Sequence, residues 1–224
     1  MEELLTANSA TSLYWLGRYL ERVEATLMEV SIAYDNIIDV DKNAGVALYK
    51  NFDVDLSYSN ALDFLNIALL GEHNANLKNI VVQIRENAII SRTQLGEDSF
   101  GEIIELHTLF KNVSLATSYI DYKFIDNALS LISEIWGSLS KRQQRKQSNS
   151  FIILGKLVEE VDFHLRLDKE KVLSLVILEE IDIIVEKLTN ITESKDYKEI
   201  DKHEIVSLVN AKIDMIVTDE ISSI

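Results

Sequence analysis

LYWLGRYLERVEAT, residues 13–26, returns in altered form 138 positions later as FIILGKLVEEVDFH, residues 151–164. More than hydrophobicity is kept: Leu16-Gly17 recurs as Leu154-Gly155, Arg18 as Lys156, Glu21 as Glu159, Val23 as Val161 and Glu24 as Asp162. Spacings of three and four stack side chains on one flank of a helix, so Gly17, Glu21 and Glu24 form a stripe and Gly155, Glu159 and Asp162 its copy. Beside the first stripe, Leu13, Leu16, Leu20, Val23, Leu27 and Val30 repeat at three and four, the pattern of a buried seam. A glycine and two carboxylates therefore run along the edge of each of two core helices. Arg18 and Arg22 fall opposite the seam and read as a solvated pair.

The rest of the chain is built from the same material. Proline is absent from all 224 residues, where ordinary usage of about 5% would give roughly eleven. The seven glycines are scattered, and 47% of residues are hydrophobic. Proline costs about 3 kcal/mol inside a helix and glycine about 1, so this composition specifies long uninterrupted helices. Nothing marks a linker between domains, and the length suits one large domain with a sizeable core. The expectation is an all-α, single-domain bundle of seven or eight helices, with a weak internal repeat of the helices near 13–26 and 151–164.

The first helix is expected to start among the cap candidates Asn8, Ser9, Thr11 and Ser12 and to run to about residue 39. A loop follows over 40–56, around Gly45, and then a short helix over 57–70 that ends at Gly71. In the helix expected at 76–95, Leu77, Ile80, Val81, Ile84 and Ala88 share one face, which Arg85 and Arg92 border. Glu86 faces away from that seam. Ile89 and Ile90 point to the other side, which places this helix centrally between two apolar neighbours. Ser99 and Glu102 have capping-box spacing for the next helix, over about 100–116, where His107 shares a face with Ile103 and Phe110 and reads as a satisfied core histidine. A further helix from about 119 runs toward the basic cluster Lys141, Arg142, Arg145 and Lys146, where cations relieve the negative end of a helix dipole. Asp168 is a candidate N-cap for a helix over 169–192, and Asp201 with Glu204 for the last one.

Net charge is −15, from 22 Lys plus Arg against 37 Asp plus Glu, and from Glu159 onward 17 acids face 8 bases. That balance argues against a nucleic-acid backbone or an anionic membrane as partner. With no cysteine there is neither a disulfide framework nor a thiolate site. Met1-Glu2-Glu3 is acidic where a signal peptide is basic, and no apolar run approaches the ~18 residues of a membrane span, so a cytoplasmic protein is expected. No glycine-rich phosphate loop is present, and no cofactor is expected.

Three blocks, ANSATSLYWLGRYLERVEAT, IRENAIISRTQLGEDSFGEIIELH and LGKLVEEVDFHLRL, resemble the signature blocks of the Alpha-E family, a bacterial helical domain named for its Glu-Arg motif. The resemblance puts the first Glu-Arg on Glu21 and Arg22, and the central block on Arg85, Glu86, Asn87 and Arg92. The third block departs from the pattern, with Glu159-Glu160 in place of a second Glu-Arg, and Ile89 stands where a second basic residue is common. What the resemblance implies is a non-ATPase accessory role beside a circularly permuted ATP-grasp ligase and a transglutaminase-like protein, in a system that makes or modifies peptides. The binding candidates are then Glu21, Arg22, Arg85, Glu86, Arg92 and Glu159, and the partners an ATP-grasp ligase, a transglutaminase-like protein or a peptide.

Three readings of the charges stay open at this level. Glu21 and Glu159 are expected to approach Arg85 or Arg92, because charges bordering a core need partners. The same cluster could instead hold the carboxylate and amine of a peptide-like substrate, in a small enzyme or a binding protein. A carboxylate metal bundle would use Glu21, Glu24, Glu159 and Asp162, but no histidine has the Glu three residues before it that such sites supply.

Overall fold

The computed structural model of the protein describes residues 5–115, 120–141, 146–169, 171–189 and 202–221. Among these residues the chain forms nine α-helices and one 3-10 turn, with no strand. The all-helical expectation holds, with slightly more helices than the seven or eight expected. Part of the excess comes from the stretch over 40–56, where a short helix stands in place of the expected continuous loop.

Helix α1 (Ala7–Asp39) is the axis of the bundle. Its N-cap lies two residues before the first cap candidate: it is Thr6, whose hydroxyl accepts from the Ser9 N–H at 3.2 Å. All six seam residues from Leu13 to Val30 are fully buried, each worth about 1.5–3 kcal/mol of transfer free energy. Tyr14, Gly17 and Glu21 are buried as well, so α1 is enclosed on two sides. It packs against α2 (Ala44–Lys50), α3 (Ala61–Leu70), α4 (Leu77–Ile90), α6 (Tyr122–Ser140) and above all α7 (Lys146–Arg166).

The other helices are laid around this axis. Helix α5 (Glu97–Leu115) bridges α4 and α6, while α8 (Lys171–Thr189) packs on α7 and α9 (Lys202–Ile221) on α8. Buried Lys212 of α9 pairs with Asp182 of α8. Helix α4 is not the central element, since Ile89 and Ile90 are exposed. It ends at Ile90, and a 3-10 turn at Arg92–Gln94 leads into α5.

Two further caps differ from expectation for identifiable reasons. Helix α5 begins two residues before the proposed capping box: the Gly96 N–H donates to the Ser99 hydroxyl, so Ser99 reaches back from inside the first turn, and Glu102 instead accepts from Ser138. Asp168 does not open α8. Its φ of 53° places it in the left-handed region just past the end of α7, where Leu167 N–H donates to Phe163 O and Lys169 N–H to His164 O. Asp tolerates this conformation better than most side chains, so the residue closes one helix rather than starting the next. Lys141 is the C-cap of α6 and Lys146 starts α7; Arg142, Arg145 and Asp201 lie outside the described residues.

Candidate functional site at the crossing of the repeated helices

The two copies of the repeat, on α1 and α7, pack directly against each other through their glycines. A Cβ on Gly17 would stand 2.0 Å from the carbonyl oxygen of Ile152, and one on Gly155 would stand 2.0 Å from that of Tyr14. In the repeat Ile152 is the copy of Tyr14, so the contact is reciprocal. Only glycine allows backbones this close. Contacts climb both elements together, from Tyr14 with Gly155 through Arg22 with Glu159 to Glu29 with Lys169, just past the end of α7, at 2.9 Å, so the two run side by side in one direction.

This approach brings the charged stripes into register. Arg18 reaches Glu159, with Nε donating at 2.8 Å and Nη2 at 2.7 Å from the same oxygen. Lys156, the copy of Arg18, reaches Glu21, the copy of Glu159, at 2.7 Å. The two ion pairs are thus images of one another through the repeat. Arg22 adds a second guanidinium to Glu159: Nη2 donates to Oε2 at 2.9 Å and Nε donates to Oε1. Its own copy is Glu160, so Glu21 receives no corresponding cation.

The electrostatics follow this imbalance. Burial works against the charge of Arg18, but Glu159 outweighs it and raises the arginine's pKa further. Lys156 behaves likewise, with Glu21 overcoming the effect of burial and holding the pKa above its ordinary value. Glu21 is different: burial, reinforced by Glu24 and Glu160, pushes its carboxyl above the ordinary range despite Lys156. Glu24 accepts from Trp136 Nε1 at 2.7 Å, and the Lys156 ammonium lies over the Trp136 ring, 5.2 Å from its centroid. Asp162 accepts from Arg166, one turn on, at 2.8 Å.

Six residues were expected to form the binding group. The structure brings three of them together, Glu21, Arg22 and Glu159, and separates the others. Arg85 pairs with its neighbour Glu86 at the surface of α4, and the Arg92 guanidinium lies 3.8 Å from the centroid of the Phe100 ring. The expected approach of Glu21 and Glu159 to Arg85 or Arg92 is therefore replaced by pairing between α1 and α7. Arg18 and Arg22 are correspondingly not a solvated pair. His107 is only half-buried, and burial together with Arg85 and Lys111 lowers its pKa.

Beside the doubled cluster is a cleft of about 170 Å³, with Arg22 and Thr26 of α1 on one wall and Glu159, Phe163 and Arg166 of α7 on the other. Phe52, Ile80 and Asn74 also line it. Arg18, on the far side of Glu159, borders a more apolar cleft of about 270 Å³ with Trp15, Phe151 and Ile213 of α9. Sequence reasoning passed over Thr26, Phe163 and Arg166. Their signal was the helical spacing: Thr26 follows Arg22 by four, and Phe163 and Arg166 follow Glu159 by four and seven. Among the described residues no group of three His, Asp or Glu side chains is placed to hold a metal ion.

A helical bundle whose repeated helices are joined by glycine contact and crossed ion pairs is the class this geometry defines. The chain belongs to the Alpha-E family, described as a predicted α-helical domain with a conserved ER motif, which it matches over residues 5–209. Glu21-Arg22 is the sole Glu-Arg dipeptide in the sequence. Its two members do not pair with each other. Adjacent helical positions diverge by about 100°, and the motif straddles the seam so that Glu21 meets Lys156 while Arg22 meets Glu159. No curated protein and no solved structure matches the chain. No helix among the described residues is long and apolar enough to cross a membrane.

Proposed function

We propose that the protein is a non-ATPase accessory factor that handles peptides or amide-bearing substrates beside an ATP-grasp ligase or a transglutaminase-like protein. The observation that supports this reading is that the Glu-Arg motif joins α1 to α7 while a cleft opens beside it. Glu159 is 1% exposed and already takes N–H donors from two arginines, so it serves to hold helices together rather than to attack a substrate or activate water. A polar cleft opens beside these fixed charges, which suits binding more than turnover.

The test is to mix the purified protein with the ATP-grasp ligase or transglutaminase-like protein encoded in the same genome. Complex formation is followed by sedimentation and peptide product by mass spectrometry. A complex, or a gain in product that depends on this protein, is the expected result. Absence of both with either partner, or ATP hydrolysis by the pure protein that is lost in Arg22→Gln, would overturn the proposal.

A further inference from the structure

The cleft between Arg22 and Arg166 has the makings of a site for one particular group. Arg22 gives Nε and Nη2 to Glu159, and Arg166 gives Nε to Asp162. A guanidinium carries five N–H donors, so each arginine on the cleft wall keeps donors that these contacts do not use. Thr26 lines the same cleft and brings a hydroxyl to its wall. A ligand acceptor placed between the guanidiniums can take an N–H from each arginine and the O–H of Thr26.

We infer that this cleft binds the free carboxylate of a peptide's C-terminal residue, held by Arg22, Arg166 and Thr26, with the residue's side chain against Phe52 and Phe163. The size fits an end group: 170 Å³ is below the ~300–1,000 Å³ of sites that take whole drug-sized ligands. The charge disfavours a dianion. Arg18, Arg22 and Arg166 are balanced by Glu159, Asp162 and Asp53, which all act on this region, and the chain as a whole carries −15. A phosphate dianion meets more repulsion here than a carboxylate does. The planar fork of arginine also matches two carboxylate oxygens.

This inference rests on the peptide-handling reading only for the choice of ligand. Binding of a peptide acid by a protein that joins neither partner enzyme would overturn that reading and leave the site standing. The experiment is calorimetric titration of the full chain with N-acetyl-alanyl-leucine, with the C-terminal amide of the same peptide, and with inorganic phosphate. The acid is expected to bind at least about tenfold more tightly than the amide and than phosphate, as one charge-assisted contact commands. Arg166→Gln and Thr26→Val should each weaken the acid several-fold at unchanged urea midpoint, because Arg166 lies at the surface and valine keeps the shape of threonine. Equal binding of acid and amide, phosphate binding as tight as the acid, no heat from the acid at millimolar concentration, or unchanged binding in both variants would each overturn the inference.

Discussion

The two carboxylates that α1 and α7 exchange occupy equivalent places in the repeat and have different circumstances. Glu159 accepts from Arg18 and Arg22 and is 1% exposed; Glu21 has one lysine, two acidic neighbours and 8% exposure. The difference traces to one position, Arg22 in the first copy and Glu160 in the second. Where the cation is doubled, the anion is fully committed and a cleft with spare arginine donors lies alongside. Where it is single, burial dominates and the carboxyl resists ionisation. Helix joining is thus shared by both ends of the crossing, while the features suited to a ligand are concentrated at one.

The largest expected effect is at the doubled end. Glu159→Gln leaves the largely covered Arg18 without a full charge partner, which should cost about 3 kcal/mol, read as a fall in the urea midpoint. A loss no greater than that of the same change at Glu21 would erase the distinction between the two ends. Next comes the contact on which both ends depend. Gly17→Ala places a methyl group 2.0 Å from a backbone oxygen, and forcing the helices apart should cost about 1–3 kcal/mol or somewhat more. Gly155→Ala should match it, because the contact is reciprocal.

Restoring the missing cation is a smaller and more pointed change. Glu160→Arg should place a guanidinium on Glu21 as Arg22 is placed on Glu159, adding about 1 kcal/mol, with the Glu21 carboxyl moving down by NMR titration. No movement would show that the two halves are not structural equivalents. The smallest effect is expected for Glu21→Gln, at about 1 kcal/mol or less near neutral pH, since Lys156 is partly exposed and can rehydrate. It carries a sign. A carboxyl raised in the fold contributes stability that is full below its unfolded pKa of about 4.3 and is lost as pH rises through the folded value. The variant should lack that decline in a pH series of unfolding midpoints.

The helical class, the core seam and the special standing of residues 13–26 and 151–164 were legible, because absent proline and three-four spacing act locally. The partners of Glu21 and Glu159 were misassigned to Arg85 and Arg92, since a helical wheel gives the flank of a residue and not which helix faces it. The repeat itself held the correction. If two copies meet at their glycines, the cation one residue after each glycine faces the acid four residues after the other, which gives Arg18 with Glu159 and Lys156 with Glu21. Asp168 was misread because an aspartate between two helices satisfies the sequence rule for an N-cap and that for a left-handed terminus alike. Thr26 drew no notice, for a threonine on a helix flank carries no sign that it will line a cleft.

The parallel, glycine-mediated contact between α1 and α7 also sets a timetable. Its partners lie 135 to 141 residues apart in the chain, and at about 5–20 residues per second of synthesis the second copy follows the first by roughly 7–28 s. Helix α4 arrives sooner and shields one side of α1, but the flank bearing Gly17, Arg18 and Glu21 stays wet until α7 emerges. For a flank made of charges and a glycine this wait is harmless, since water solvates it well. Had the same flank been leucine, it would have been the nascent chain's most adhesive surface for that whole interval.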